Sequence, residues 1–487
     1  MLYRGDLGRL LMPRERIIPL IVAVALFMEN MDATVIATAL PSIAASIGTN
    51  PLALKLAITS YLLALAIFIP ASGWTADRFG TRTVFRLAIA VFMCGSIGCA
   101  LSQSLEHFVV ARFLQGAGGA MMTPVGRVVL MRSIEKRKLI AAMTWVTMPA
   151  LVGPLIGPPV GGFITTYFSW HWIFLINIPI GLVGIALATR FIENIRAEVR
   201  VPLDVPGMVM TGLGIGGVAF GMTSLGMDFL PAGVVAALIA GGATCLVAYF
   251  FHARRTANPI LDLSLFALPT FRASVIGGLV FRTGVGALPF LLPLMLQIGF
   301  HMTPLQSGLI TFSTALGAMS MKAAVPHVLK RLGFRATLTA NAILASAFVA
   351  LCAAFTPMTP VWAMIVILGV GGFFRSLEFT SINTIAYADV DPQRMGRATA
   401  IVSVVQQLAV SMGVAFGALT VELTVRFGHG GALTAADFRP AFLFVGAFSA
   451  MSALMFMRLP ADAGAELANR VPVPAPAPAD SGDQRPG

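Results

Sequence analysis

The chain has 487 residues, of which 57% are hydrophobic and 11% charged; its mean hydropathy is +0.86 and its formal net charge +12. A soluble globular chain carries about 25% charged residues, so the composition excludes a protein that lives in water. Apolar runs of about 20 residues recur along the whole length, each long enough to cross a hydrocarbon core of roughly 30 Å as a helix.

In chain order the runs predict fourteen spans, at 16–39, 52–73, 84–103, 107–131, 139–165, 170–192, 205–226, 231–252, 272–297, 304–326, 336–356, 360–386, 398–423 and 439–459. With that assignment, twenty-five of the 33 Lys and Arg collect at one side of the membrane. Lys55, Arg426 and Arg439 stand at the other side, and Arg112, Arg127, Arg282, Lys322 and Arg375 lie within spans. Positive charge stays on the cytoplasmic side, so the bias supports the spans and places both termini in the cytoplasm. It also accounts for the +12 without a nucleic-acid partner.

The first apolar run follows a basic segment but is span-length and has no small-residue cleavage site, so it reads as a retained helix rather than a removed signal. Residues 1–15 are then a cytoplasmic N-terminus, and the Pro/Ala-rich stretch 460–487 a disordered cytoplasmic tail. Cys94, Cys99, Cys245 and Cys352 all fall in spans without metal-ligand or disulfide spacing, and the six histidines form no metal motif. The chain has no phosphate-binding GxxxxGK[ST] loop. Nothing points to an enzyme, a cofactor or a metal.

A repeat organises the chain. "DRFGTR" follows span 2 and "KRLGFR" follows span 10, with Arg78 and Arg331 offset by 253 residues. This predicts two related six-helix bundles, 16–193 and 272–459, joined by a 194–271 linker that carries two inserted helices. The same offset sets Arg282 opposite Glu29. Transporters are commonly built from such repeats, with the substrate path between them.

Three places then carry chemistry. In "MENMDATVIATALP" (28–41), Glu29 and Asp32 lie about 300° apart on a 3.6-residue helix, hence on one face near mid-depth. An ionised Asp there costs roughly 2.5–3.5 kcal/mol unless a cation, water or protonation offsets it. Arg375 and Glu378 repeat the spacing in span 12, either as an internal ion pair or as a second site. Gly153, Gly157 and Gly161 form a bare stripe that admits a neighbouring helix, and Pro154, Pro158 and Pro159 remove backbone donors and kink it. Arg127 and Lys322, near span ends, are expected to reach for the interface.

Five stretches together resemble the major facilitator superfamily, specifically its fourteen-helix drug/proton antiporter branch. "MDATVIATALP" is similar to the branch's first-helix signature. "GWTADRFGTR" resembles the loop after the second helix through Gly73, Asp77, Arg78, Gly80 and Arg82, departing at Thr75 and Thr81. "RFLQGAGGAMMTP" resembles the fourth-helix motif through Arg112, Gln115, Gly116 and Pro124. "GPLIGPPVGG" resembles the antiporter motif through Gly153, Pro154, Gly157, Pro158, Gly161 and Gly162, and "WHWIFLINIPIG" the opening of the sixth helix, with His171 where Arg is common.

The resemblance implies an all-α transporter of two six-helix bundles plus two helices, working by alternating access in the bacterial inner membrane. It implies proton-driven export of hydrophobic, cationic drugs, needing no cofactor. Protons, a small-molecule substrate and the bilayer are the expected partners, and a monomer the expected state. On this reading Asp32, Glu29, Glu378 and Arg112 couple protons; Asp32, Gln115, Arg282, Arg375 and Glu378 line the substrate cavity; and the Gly73–Arg82 loop latches the two halves, with Asp77 at the start of the third helix, where an anion suits the helix dipole. Export of one dedicated metabolite is the nearest alternative, and a passive channel or membrane-embedded enzyme the more distant ones.

Overall fold

The computed structural model describes residues 14–134, 139–197, 202–227, 230–428 and 430–468. Most of the predicted N-terminus (1–13), most of the tail (469–487) and the basic residues Lys136, Arg137, Lys138 and Arg200 lie outside the described residues. Every described element is helix or connecting turn: α1 Arg14–Ser46, α2 Lys55–Phe68, α3 Ser72–Phe79, α4 Thr81–Ala100, α5 Leu105–Ser133, α6 Leu139–Tyr167, α7 Trp172–Leu175, α8 Asn177–Phe191, α9 Val205–Thr223, α10 Ala232–Ala253, α11 Pro269–Val285, α12 Leu288–Leu294, α13 Pro304–Leu351, α14 Val361–Ile385, α15 Met395–Gly428, α16 Phe438–Ala450 and α17 Ser452–Phe456.

Each predicted span falls on helix. Eleven described helical stretches are long and apolar enough to cross a membrane. α5 is not among them, because Arg112, Gln115, Arg127 and its glycines dilute its apolar content. One of the eleven, Pro304–Ala354, contains two predicted spans. The expected loop between them shrinks to a single break in α13 at Gly333, whose φ of 76° and ψ of 170° no other residue type adopts comfortably.

Gly80, 253 residues earlier, breaks the chain between α3 and α4 in a closely similar conformation, φ 97° and ψ 142°. The two copies of the sequence repeat thus share a backbone turn as well as residue types. Around Gly80, the segment after α8 closes the turn: Thr81 N–H donates to the Ile195 carbonyl (3.1 Å), Thr83 N–H to Asn194 Oδ1 (3.2 Å) and Ala197 N–H to the Asp77 carbonyl (3.2 Å). A Cβ on Gly80 would collide with the Asn194 side chain.

α6 packs between α1 and α13. Its glycine stripe faces α1, where a Cβ on Gly153 would meet Phe27 O and Met31 N, one on Gly157 Thr34 Oγ1, and one on Gly161 Val35 O and Thr38 Oγ1. Gly162 faces the other way, against Pro304 and Leu305 of α13, and Gly308 of α13 returns the contact on Pro158. The stripe therefore performs the close packing that its spacing predicts. Elsewhere α2 packs on α15 and α9. Of the predicted tail, residues 460–468 form turns that bury Ala463 and Ala468 in the main core.

The loop from α10 to α11 is tied by two aspartates outside the spans. Asp204 caps α9 by accepting Gly207 N–H (2.9 Å), and also accepts from His252 Nε2 (2.7 Å) and Ile260 N–H (3.2 Å). Burial disfavours the charged carboxylate and pushes its titration up, but these bonds outweigh burial and hold the carboxyl below its ordinary value. Asp262 accepts from Arg394 Nη2 (3.0 Å), and burial is likewise outweighed there by Ser264 and Arg394.

Two outcomes follow from this packing. Gly80→Ala lowers the thermal midpoint of the purified protein, by roughly 1–3 kcal/mol of backbone strain, and Gly333→Ala does likewise, whereas Gly73→Ala, with nothing within 4 Å of its Cβ position, does not; equal midpoints for all three would remove the strain argument. Because the depressed Asp204 favours the folded state above the unfolded value of about 4, its contribution persists at neutral pH and is lost as pH falls through the lowered value. Asp204→Asn should accordingly lower the midpoint at neutral pH and flatten its fall below about pH 4.

Candidate functional site

Asp32 sits in the middle of α1, 3% exposed. Its Oδ2 accepts Arg112 Nη1 at 2.7 Å; its Oδ1 accepts Gln115 Nε2 at 2.8 Å and Asn177 Nδ2 at 3.0 Å. Arg112 and Gln115 lie one turn apart on α5, so one helix face supplies both, and Arg112 Nη1 also donates to Gln115 Oε1 (2.5 Å). Ser96 of α4 accepts from Gln115 Nε2 (2.7 Å) and Asn177 Nδ2 (3.3 Å). The Arg112 guanidinium, 1% exposed, lies 4.3 Å from the Tyr61 ring centre, adding a cation–π contact.

This is a buried ion pair whose acid has three donors. Such pairs tolerate loss of one partner poorly, since a bare charge is left behind. The spacing of Glu29 and Asp32 holds as expected: Glu29 also turns to α5, where Thr123 Oγ1 donates to its Oε2 at 2.8 Å. Arg127, an exposed residue four positions further along α5, acts on it electrostatically.

The acid of the second half has a different neighbourhood. Glu378, fully buried on α14, accepts from Asn341 Nδ2 of α13 at 2.8 Å, and its Oε1 has no hydrogen-bond partner among the described residues. The internal pair with Arg375 does not form. Spacing of three residues permits it, but Glu378 is drawn to Asn341 while Arg375 turns into a cavity. Arg282 does not partner Glu29 either: its Nη2 donates to Asn383 Oδ1 at 2.7 Å and its guanidinium lies 5.3 Å from the Phe379 ring centre.

That cavity, about 270 Å³, lies between α1, α6, α12, α13 and α14. Thr34, Pro154, Pro158, Leu292, Lys322 and Arg375 are among its walls. Of the five residues assigned by the resemblance to a substrate cavity, Arg375 lines this one. Asp32, Gln115, Arg282 and Glu378 are instead sealed in the surrounding helices, because each is consumed by a polar partner on a neighbouring helix. Lys322, an exposed residue of α13, also borders this cavity.

The Gly73–Arg82 loop differs from expectation at Asp77. α3 continues through Phe79, so Asp77 stands in its last turn rather than at the start of α4. A helix C-terminus disfavours an anion, and Arg132 Nη2 offsets this by donating to Asp77 Oδ1 (2.5 Å). Gly73, Asp77 and Arg78 line a second cavity, about 610 Å³, whose far wall includes Arg397 of α15; Arg82 is half-buried on α4.

An interaction that sequence reading missed spans the opposite seam. Lys55, fully buried at the start of α2, donates to both carboxylate oxygens of Glu422 on α15 at 2.9 Å and to the Leu225 carbonyl at 3.2 Å. The available signal was that Lys55 is one of very few bases at that side. For Ser96, Asn177 and Asn341 the signal was weaker, a lone polar residue in an apolar run.

Comparison with known proteins places this architecture. Relatives bearing the name "Putative multidrug resistance protein MdtD" are 36% identical over 444 residues in Salmonella paratyphi A, covering 91% of this chain and 94% of the relative, and 38% identical over 448 residues in Pectobacterium atrosepticum, covering 91% and 95%. Among solved structures, a D-xylose-proton symporter aligns with a TM-score of 0.65 at 16% identity, over 92% of this chain and 98% of the symporter. The human organic anion transporter MFSD10 (TETRAN) aligns with a TM-score of 0.59 at 14% identity, over 91% and 100%; at these identities the likeness is one of fold. The Major Facilitator Superfamily family model matches residues 22–414 and 274–481. The chain therefore belongs to the major facilitator superfamily, as a multi-pass, all-helical membrane transporter.

Proposed function

We propose that the chain exports small amphipathic compounds by alternating access, driven by the inward flow of protons. The observation that carries this reading is the Asp32–Arg112 pair at mid-depth in α1 and α5. A guanidinium cannot release its proton in a protein, so while it touches Asp32 the acid stays ionised. A helix movement that parts the two leaves Asp32 in apolar surroundings, where it takes a proton. Glu29, half-buried beside it, is a relay position, and Glu378 with its unpaired Oε1 a second proton site in the other half. The multidrug-resistance names of the bacterial relatives support efflux as the direction and drugs as the cargo.

In this reading two six-helix bundles, 16–193 and 272–459, rock about the seams made by α6 with α13 and by α2 with α15, fourteen spans cross the bacterial inner membrane, and both termini face the cytoplasm. The protein works as a monomer and needs no cofactor. The charge bias of the loops then puts Lys55 and Glu422 at the outer end, where their ion pair closes the α2–α15 seam. Gly153, Pro154, Gly157, Pro158, Gly161 and Gly162 give α6 its thin, bent form, suited to a pivot. Asp77 with Arg132, beside Arg78, Gly80 and Arg82, governs the inner end. Cationic cargo, the class expected from the resemblance, finds no carboxylate on the wall of the central cavity among the described residues.

In proteoliposomes with an imposed pH gradient, Asp32→Asn should bring export to background, with a lowered thermal midpoint but the protein still folded and inserted. Arg112→Gln added to it relieves the stranded cation and restores stability but not export; gradient-driven export at the wild-type rate in either variant would remove Asp32 from coupling. Lys55→Glu or Glu422→Lys alone should slow export several-fold, and the double exchange should recover most of it. Single variants that transport normally would show that the outer seam closes without the pair.

A further inference from the structure

The central cavity carries charge of one sign. Arg375 enters it from the middle of α14 and Lys322 from α13, and no Asp or Glu lines it among the described residues. The interior acids are engaged elsewhere: Asp32 by Arg112, Glu29 by Thr123, and Glu378, one turn beyond Arg375, by Asn341. Neither cation forms an ion pair among the described residues. A guanidinium at mid-bilayer depth without a counter-charge is unfavourable unless water or a ligand supplies compensation.

The other polar walls cannot take that part. The hydroxyls of Thr34, Thr38, Thr311 and Thr314 each donate to a carbonyl of their own helix. The donors left to face a ligand's charge are those of Arg375 and Lys322. Leu292, Met319, Leu368 and the proline walls supply apolar contact beside them.

We infer that the ligand of this cavity is a compact amphipathic organic anion, its carboxylate or comparable acidic group held by Arg375 in the two-pronged manner of a guanidinium, with Lys322 adding a second charge and the apolar body against the leucine and proline walls. This assignment rests on the transporter reading above for the ligand's being cargo, and on the cavity alone for its charge.

Binding and flux separate the two. Isothermal titration of the purified full chain with 4-phenylbutyrate, 4-phenylbutanamide and 4-phenylbutylamine compares one apolar body with a negative, neutral and positive head. The carboxylate should bind roughly tenfold or more tightly than the amide, as a partly desolvated charge-assisted contact provides, and the amine most weakly. Arg375→Gln should reduce the carboxylate to the affinity of the amide, Arg375→Lys should keep part of the preference, and Lys322→Gln, on an exposed position, should weaken it even if Arg375→Gln does not fold. Equal or tighter binding of the amine, no binding of the carboxylate at millimolar concentration, or a preference that both Arg375→Lys and Lys322→Gln leave untouched would overturn the assignment. Carboxylate binding without gradient-driven flux in proteoliposomes would instead uphold the anion site and sink the export reading.

Discussion

An ionised carboxylate in the middle of a membrane helix has to be neutralised by the protein itself, and the way Asp32 achieves this fixes much of the surrounding structure. Its partners come from α5 and the start of α8, with Ser96 of α4 behind them and Tyr61 of α2 beneath the guanidinium. Five helices are thereby referred to one acid. The same dependence suits the cluster to the switching role proposed for it: a displacement of α5 by a few ångströms, enough to part Arg112 from Asp32, would leave a bare anion and a bare cation in a low-dielectric interior, and only the anion has the option of becoming neutral.

The second half uses a different arrangement. Glu378 is held by an amide rather than a guanidinium, and the two arginines closest to it in sequence or space, Arg375 and Arg282, are turned to the cavity and to Asn383. Charge is thus balanced locally in the first half and left unbalanced around the cavity in the second. The repeat visible at Gly80 and Gly333 governs the backbone, while the chemistry of the two halves has diverged.

Much of this was legible in the sequence. Hydropathy located the helices, the 253-residue offset located two turns of matching geometry, and the four-residue glycine spacing identified the face of α6 that meets α1. Other features were not, for definite physical reasons. Asn177, Ser96 and Asn341 are single polar residues whose partners lie tens of residues away, so no spacing rule connects them. Lys55 and Glu422 are 367 residues apart. Arg375 and Glu378 sit at pairing distance along α14, yet the stronger competitor for Glu378 is on another helix. Asp77 was assigned to the wrong helix end because α3 runs on to Phe79, two residues past it.

Two of the contacts that join the first-half helices to those of the second are unlike in substance. Where α6 meets α13, Gly162 and Gly308 bring main chain against main chain with almost no side chains between. At these two positions there are no rotamers to reshuffle, although Leu305 N–H of α13 donates to Thr166 Oγ1 of α6 nearby (3.1 Å). Where α2 meets α15, a fully desolvated ammonium grips a carboxylate, and release there requires a discrete event. Under the alternating access proposed above, a body that slides at one seam and is fastened by an ionic clasp at the other would move in jumps rather than by drift, with its dwell times set at the clasp.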